Sequence, residues 1–453
     1  MTHYGGGTLW GIVAELESPL TGQRILKLYA PLALSWIMMA LESPISVGVI
    51  SRLPNAEVNT AAFLVLMGLS LWIESPVIDL LTTSTTLATS PARYRALRKF
   101  ALALMALSTV VHAAVALIPA LYNGVTLGIL GLKPEVAEAG RVAFAFMIPW
   151  SAFIGWRRFL QGILIRRHQT RLIGLGTALR VSTMAVTCLL LYRFAPWTGI
   201  QIAALGLIAS VMAEAIFIHV ASRPTVHEAF ASHAAEPQAE ALNWKRLVKF
   251  HAPLTATVLL LLSANPLTSA ALARTNDAVL ALASWQIAMT LIWLFRTVTF
   301  ALPEVVITLY REGDAARTLY RFCLSVVLVC SGLMFLAHVT GLDQWFFVRV
   351  LDAKPELAAA AAIAILGCSL QPLIGALQSY LRGVLTAHHL TVSRLWAIGV
   401  GLGTLVAGLA LAVALKLPGV VVAAGAFTVS LLAELAVLAL AWRRSQRIPS
   451  LQS

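Results

Sequence analysis

The stretch GIQIAALGLIASVMAEAIFIHVASR at residues 199–223 returns in similar form as GVVVAAGAFTVSLLAELAVLALAWR at residues 419–443. Each copy is an apolar run long enough to cross a bilayer. Each is interrupted by a single acid at the same place, Glu214 in the first copy and Glu434 in the second. Two such copies, one near the middle and one near the end of the chain, indicate that the sequence contains a duplicated unit.

Four earlier motifs recur in the same order. They are KLYAPLA at Lys27 with KFHAPLT at Lys249, SRLPNA at Ser51 with ARTNDA at Ala273, LKPEVAEA at Leu132 with AKPELAAA at Ala353, and FLQGILIRRHQT at Phe159 with YLRGVLTAHHLT at Tyr380. The register between the halves drifts by only a residue or two along the chain. The sequence therefore predicts two homologous lobes that follow one another along the chain.

Composition places these lobes in a membrane. Of 453 residues, 59% are hydrophobic and only 12% are charged, and the mean hydropathy is +0.83. So little polar surface excludes a soluble multidomain globule. About twelve apolar segments are long enough to span the hydrocarbon core. They lie near 28–50, 61–87, 101–121, 142–160, 172–191, 200–221, 250–272, 278–309, 322–342, 357–380, 397–415 and 420–442.

The predicted fold is an all-α polytopic membrane protein with two parallel six-helix repeats. Six spans per repeat put the start of both repeats on the same side, so the lobes are related by an axis along the membrane normal. The expected organisation is an N-terminal cytoplasmic segment, an N-lobe, a cytoplasmic linker, a C-lobe and a cytoplasmic tail. These occupy residues 1–24, 25–222, 223–246, 247–442 and 443–453.

Lysine and arginine set the expected orientation. With both termini cytoplasmic, most basic residues of the short loops fall on the inner side, Arg157, Arg158 and Arg382 counted among them. The first twenty residues lack the pattern of a cleaved signal peptide, so insertion into the inner (plasma) membrane by the first span is expected. The net charge of +13 is scattered over these loops, which fits membrane orientation better than nucleic-acid binding.

Enzyme chemistry has no visible motif in this sequence. HExxH, GxSxG, P-loop and CxxC patterns do not occur, so we expect neither an enzyme nor a nucleotide-driven pump, and no cofactor. The four cysteines all fall in apolar segments with no disulfide or metal spacing.

Two Glu-Ser-Pro motifs are set inside apolar spans, at Glu42-Ser43-Pro44 and Glu74-Ser75-Pro76. A charged side chain at membrane depth costs about 2.5 kcal/mol or more, which makes each acid a functional candidate. Proline interrupts the helical hydrogen bonds, so Pro44, Pro76 and the repeat equivalent Pro266 are predicted hinges. The alternative is a purely structural kink whose glutamate is protonated or hydrogen-bonded.

Glu42 is the leading candidate for coupling to a proton or cation, and Asp79 is the second. The repeat equivalent of Glu42 is Ala264, and an acid present in only one lobe is better explained by ion coupling than by symmetric packing. The depth of each acid along its span puts Glu42 in the outer half and Glu74 in the inner half of the membrane.

Glu74 aligns with Arg296, so opposite charges occupy equivalent positions in the two lobes. The pair could join across the lobes in one access state and separate in another, which makes both residues candidates for substrate or inter-lobe contact. The alternative is pairing within each lobe, for example between Arg296 and Glu304.

Arg180 lies at a depth similar to that of Glu214 in the predicted spans, which favours a structural ion pair between them. The functional alternative is that Arg180 contacts an anionic substrate. Glu214 and its repeat equivalent Glu434 are interpreted as structural buried acids, because a shared role in the fold explains both.

The six-plus-six spans resemble the multidrug/oligosaccharidyl-lipid/polysaccharide (MOP) exporter superfamily, which includes the MATE transporters. The features that carry the resemblance are the KxxxPL opening, the basic loop after the second span and the G-x-x-x-A-A pattern before each Glu214-type acid. Glu42 with Arg52, Pro76 with Asp79, and Glu434 look most like the progressive ankylosis protein branch. That branch implies efflux of phosphate-rich or carboxylate metabolites. One departure is that the acid of the first span precedes its proline, whereas proton-coupled MATE proteins carry an aspartate beyond it.

The expected function is secondary active export of an organic solute, with an organic anion as one candidate, by alternating access about a central cleft. Coupling to a proton or sodium ion is expected, and the partners are a small-molecule substrate and the lipid bilayer around a monomer. One alternative is a flippase for a lipid-linked substrate, which the same superfamily contains. A second is a non-transporting membrane scaffold or receptor.

Overall fold

A computed structural model describes residues 20–167, 169–230, 243–309, 314–387 and 391–446, and this part of the chain is helical throughout apart from short turns. The long helices group into twelve units, each made of one helix or of two or three consecutive helices. We call these units passages and name them α1 to α12 in chain order. They are α1 (Gly22–Ala40 and Glu42–Ser51), α2 (Ala56–Ile78 and Leu80–Leu87), α3 (Pro91–Leu117), α4 (Pro134–Phe146 and Trp150–Arg166), α5 (Thr170–Phe194), α6 (Gly199–Phe230), α7 (Trp244–Leu272), α8 (Ala278–Thr297, Val298–Ala301 and Leu302–Leu309), α9 (Asp314–Val339), α10 (Pro355–Cys368 and Gln371–Ala387), α11 (Thr391–Ala414) and α12 (Gly419–Gln446).

Ten of the described helices are long and apolar enough to cross a membrane, and α10 makes eleven if its two parts form one bent span. The remaining passage, α4, is divided between Phe146 and Trp150, and its parts are 13 and 17 residues long. The predicted all-helical fold with many spans is confirmed.

The two lobes have the same internal order of elements. In each, a short helix and a π-helical segment connect the third passage to the fourth: Pro119–Asn123 with Gly124–Ile129, and Leu342–Trp345 with Phe346–Val350. Each fourth passage then begins with proline at its first helical position, where the missing N–H is not needed. Each is also broken in the middle. This shared order supports the duplication seen in the sequence.

Two of the three predicted hinge prolines lie beside helix breaks. α1 breaks at Leu41, just before Glu42 and Pro44, and α2 breaks at Asp79, three residues after Pro76. The break in α1 fits Pro44, which cannot donate the backbone hydrogen bond to Ala40, the last residue before the break. The break in α2 lies beyond Pro76, which is itself inside the helix Ala56–Ile78. Pro266 instead lies inside a helix that continues unbroken from Trp244 to Leu272, so its role as a hinge stays a prediction.

Both ends of the segment predicted as a linker are helical. α6 continues beyond residue 222 to Phe230, whose ring stacks on Tyr94 at a centroid distance of 4.5 Å and extends the packed helix. α7 begins at Trp244, capped by Asn243, whose side-chain oxygen accepts from the backbone N–H of Arg246 at 2.8 Å. The rest of the predicted linker, 231–242, lies outside the described residues. The predicted tail is likewise helical as far as Gln446.

The lobes meet along a seam formed by α1 and α2 of the first lobe and by α7 and α8 of the second. Between α1 and α8, the hydroxyl oxygens of Ser43 and Thr290 are 3.1 Å apart. Between α2 and α7, the indole N–H of Trp72 donates to the hydroxyl of Ser263 at 3.0 Å. These are two of several side-chain contacts that join one lobe to the other.

Candidate functional site

Glu42 is bound inside the first lobe by Arg180. The break in α1 brings the Glu42 carboxylate against α5, where Arg180 donates from Nε to Oε1 and from Nη2 to Oε2, the second bond at 2.6 Å. Both side chains are buried, with residue exposures of 8% and 4%. The two residues meet because the long arginine side chain reaches the helix break in α1. The bidentate pair leaves Glu42 less available for ion coupling than the sequence suggested.

Glu214 is the most heavily bonded acid of this lobe. Arg157 Nη1 donates to Oε2 at 2.6 Å, and Gln161 Nε2 donates to Oε1 at 3.2 Å from the next turn of α4. Arg180 Nη1 lies 3.6 Å from Oε2, so the pair predicted between Arg180 and Glu214 is present as the longer of two contacts. Arg180 thereby bridges Glu42 and Glu214, which argues for a structural role and against substrate contact.

Glu74 is buried with no bonded cation. Its residue exposure is 4%, and no basic side chain of the described residues lies within ion-pair distance. Arg157, Arg158 and Arg180 are near enough to act on it electrostatically, and the Trp150 indole is beside it. Within the described part of the chain, Glu74 Oε2 and Trp150 Nε1 have no hydrogen-bond partner. Glu74 is therefore a buried carboxyl of this lobe that has no ion-pair partner among the described residues.

In the second lobe, Glu434, the repeat equivalent of Glu214, is also bound by an arginine. Arg382 on α10 donates from Nε and Nη2 to Glu434 Oε1, the first bond at 3.0 Å. The register that aligns Phe159 with Tyr380 also aligns Gln161 with Arg382. The fourth passage of each lobe thus holds the acid of the sixth from equivalent positions. This geometry fits the structural role predicted for Glu214 and Glu434.

The second lobe has no arginine equivalent to Arg180, and α11 and α12 approach closely at that position. The equivalent position is Gly401, where an added Cβ would lie 3.2 Å from Glu434 Cβ and 3.3 Å from the carbonyl oxygen of Ser430. With Ala264 in place of Glu42, the second lobe lacks both members of that ion pair.

Arg296 is the buried cation of the second lobe that has no acidic partner among the described residues. Nη1 donates to Gln371 Oε1 at 3.4 Å, and Nε has no partner. The guanidinium lies 5.8 Å from the ring centre of Trp293 and 5.7 Å from that of Phe427. The predicted contact between Glu74 and Arg296 is not formed in this conformation, because each side chain is held inside its own lobe. The side chain of Glu304 lies outside the described residues.

Glu74 and Arg296 have one equivalent neighbour as well as equivalent positions. Trp150, which is beside Glu74, aligns with Gln371, which bonds Arg296. Equivalent positions of the two lobes thus hold an acid in the first and a base in the second, each beside an equivalent residue of the fourth passage. The charge at this position is therefore reversed between the two lobes.

Asp79 lies at the seam. It is half-buried at the break of α2, near enough to His251 and Arg394 of the second lobe to interact with them electrostatically. His251 itself joins the lobes: Nδ1 is 2.8 Å from the hydroxyl of Thr83, and Nε2 is 2.7 Å from the carbonyl oxygen of Pro76. Asp79 thus belongs to the contact between the lobes, and its role in ion coupling stays a prediction.

Sequence reasoning missed several residues that surround these buried charges. Arg157, Arg158 and Arg382 were counted as loop cations, yet they lie on helices, and Arg157 is fully enclosed. Alignment of Gln161 with Arg382, beside acids that also align, was the available signal. Trp150, His251 and Gln371 carried no comparable signal, because a polar or aromatic residue within an apolar span is common.

No protein-family model and no curated protein matches the sequence. Among solved structures, the inward-facing conformation of a multidrug resistance MATE family transporter of the MOP superfamily matches with a TM-score of 0.63 and 14% identity, over 92% of this chain and 95% of that one. Its outward-facing counterpart matches with a TM-score of 0.53 and 17% identity, over 94% and 100%. A MOP superfamily transporter from Pyrococcus furiosus Vc1, described by the reverse polarity of its binding pocket, matches with a TM-score of 0.60 and 15% identity, over 96% and 100%. The chain therefore has the fold of the MATE transporters of the MOP superfamily.

Proposed function

We propose that this protein is a secondary active transporter that exports an organic anion by alternating access, as a monomer in the inner (plasma) membrane with both termini cytoplasmic. Support comes from the fold, which is shared with transporters solved in inward-facing and outward-facing conformations. Further support comes from the organisation into two repeated six-helix lobes that meet along one seam, because such a pair of bundles can rock about a central site.

The observation that carries the choice of an anion is Arg296. An ionised side chain buried in the membrane is costly unless a partner compensates its charge. No acid of the described residues fills that role, while the aromatic rings of Trp293 and Phe427 flank the guanidinium. A carboxylate or phosphate group of a substrate would supply the missing charge and accept paired N–H bonds from the guanidinium. The reverse-polarity pocket named for the Pyrococcus furiosus transporter is a parallel case in the same fold.

Glu74 is the proposed coupling group, in place of Glu42. Its carboxyl has an oxygen without a partner, so it can exist with or without a proton while breaking no ion pair. Glu42, by contrast, would have to leave Arg180 before it could bind a proton or cation. An acid in one lobe and an arginine at the equivalent place in the other allow a proton and an anion to occupy separate sites.

The test is transport in reconstituted vesicles under imposed pH and sodium gradients, with succinate, glycerol phosphate and the cation tetraphenylphosphonium as probes. We expect gradient-dependent movement of at least one of the anions. Arg296→Gln should reduce it by about tenfold or more, because a charged hydrogen bond is lost, while Arg296→Lys should retain part of it. The matched control is Arg193→Ala, an exposed arginine whose side chain stacks on Phe194. Transport of the cation alone, unchanged by Arg296→Gln, would contradict the proposal.

A further inference from the structure

Two arginines at the end of the bundle opposite the termini each reach from one lobe to the other. They are Arg52 of the SRLPNA motif and Arg274 of its repeat, ARTNDA. Arg52 directly follows the last residue of α1. It donates from Nη1 to Gly48 O of that helix at 2.5 Å and from Nη2 to Val350 O of the second lobe at 2.7 Å. One guanidinium thus joins the end of α1 to the connection between α9 and α10.

Arg274 makes the equivalent bonds in the opposite direction. It follows α7, donating from Nη1 to Ala270 O of that helix at 2.6 Å and to Leu130 O of the first lobe at 2.8 Å. Nη2 donates to Ile129 O at 2.8 Å. The register that aligns Leu132 with Ala353 also aligns Ile129 with Val350. The two contacts are therefore related by the two-fold symmetry of the repeat, and we call them the arginine clamps.

The acceptor segments are shaped for these contacts. Each clamp ends on carbonyl groups at the end of a π-helical segment, where a helix leaves its last carbonyls without internal donors. Gly131 has a φ of +68°, and an added Cβ would lie 3.1 Å from Arg274 Cζ. An added Cβ at Gly48 would lie 3.1 Å from Arg52 Nη1. Glycine at both places leaves room for the guanidinium group.

We propose that Arg52 and Arg274 form the external gate of the transporter and hold its outer end closed in this conformation. The inference rests on the proposed alternating access and goes beyond it by naming the contacts that must break for outward opening. The clamps suit a gate because their acceptors are neutral carbonyl groups, which bind a guanidinium more weakly than a carboxylate does and can exchange with water at the surface. The exposed pair of Lys354 with Glu57, 3.7 Å apart across the same seam, adds little by comparison.

The test measures opening directly. Spin labels on Thr198→Cys and Leu417→Cys, exposed residues at this end of the two lobes, report the distance between the lobes by pulsed electron resonance. We expect Arg52→Ala with Arg274→Ala to raise the ratio of open to closed distances by about tenfold, and each single variant by about threefold, because the clamps are equivalent. Arg52→Lys with Arg274→Lys should give an intermediate shift, since one ammonium group cannot bridge two carbonyls as a guanidinium does.

Arg193→Ala at the same end of the bundle is the matched control and should leave the distances unchanged. An unchanged distance distribution in folded Arg52→Ala/Arg274→Ala protein would overturn the gate, and so would the same widening in Arg193→Ala. If the double alanine variant does not fold, the two single variants and the lysine variant decide by the same distances. The readout needs no substrate, so a widened outer end in a protein that moves none of the probes would overturn the proposed function and leave the gate standing.

Discussion

The polar interiors of the two lobes share one buried hydrogen-bonded acid but differ in the charged residues around it. In both, an arginine or glutamine on the fourth passage holds the glutamate of the sixth, through Arg157 and Gln161 in the first lobe and through Arg382 in the second. Around that shared bond, the first lobe adds Glu42, Glu74, Arg158 and Arg180, whereas the second adds Arg296. The common bond belongs to the fold, and the added charges are where the lobes have taken different roles.

The difference also separates charges that are compensated from charges that are not. Inside the first lobe, Glu42 and Glu214 are ion-paired with Arg157 and Arg180, whereas Glu74 and Arg158 make no ion pair with the described residues. In the second lobe, Glu434 is bound by Arg382, so Arg296 has no acid of its own among the described residues. Buried charges that are paired contribute to structure, and those that are unpaired indicate a ligand. Three experiments test this division.

The largest effect on stability is expected for Glu214→Gln. Glu214 is fully buried and faces both Arg157 and Arg180, so its loss leaves two buried guanidinium groups with too little negative charge. Breaking a buried pair costs about 3–5 kcal/mol, which should appear as a clearly lower melting temperature of the purified protein in detergent.

Glu434→Gln is the matched variant in the second lobe. The Arg382 side chain is 20% exposed, so water can solvate it after the pair is broken, and the melting temperature should fall by less. Equal losses in the two variants would mean that the lobes do not differ in how far their charges are enclosed.

A smaller effect is expected from the pair of Glu42 and Arg180. Arg180→Met leaves Glu42 buried without a partner and should cost about 3 kcal/mol. Glu42→Met should cost less, because Arg180 keeps its contact with Glu214 at 3.6 Å. The double variant, Glu42→Met with Arg180→Met, imitates the uncharged positions Ala264 and Gly401 of the second lobe and should be more stable than Arg180→Met alone. Melting temperatures of all three proteins test the coupling, and additive losses would show that the pair is not a unit.

The fold could be predicted from the sequence because it follows from long apolar runs and a repeat, which are additive signals over many residues. The partners of the buried charges could not be predicted. Glu42 joined Arg180 because a helix break moved its carboxylate, and Arg157 became enclosed because α4 turns its basic face inward. Spacing along a helix gives depth and face, but it does not tell which neighbouring helix packs against that face.

Alignment of the two repeats was more informative about the site than the spacing of residues along each helix. Equivalence of Glu74 with Arg296 is visible in the sequence, and the structure adds that their neighbours Trp150 and Gln371 are equivalent too. The arginine clamps were also present in the sequence as SRLPNA and ARTNDA. Their carbonyl acceptors leave no trace in side-chain identity, so the partners could be found only in three dimensions.

The smallest effect on stability is expected for Glu74→Gln, and it distinguishes a functional acid from a structural one. Glu74 makes no ion pair with the described residues, and its Oε2 has no partner, so an amide of the same shape should leave the melting temperature nearly unchanged. Transport should instead lose its dependence on the pH gradient, because glutamine cannot exchange a proton. Glu42→Gln is the control, since it weakens a bidentate pair and should lower stability first. Gradient-driven transport that survives Glu74→Gln but fails in folded Glu42→Gln protein would assign the coupling role to Glu42. Glu42 would then have to release Arg180 each time it exchanges a proton.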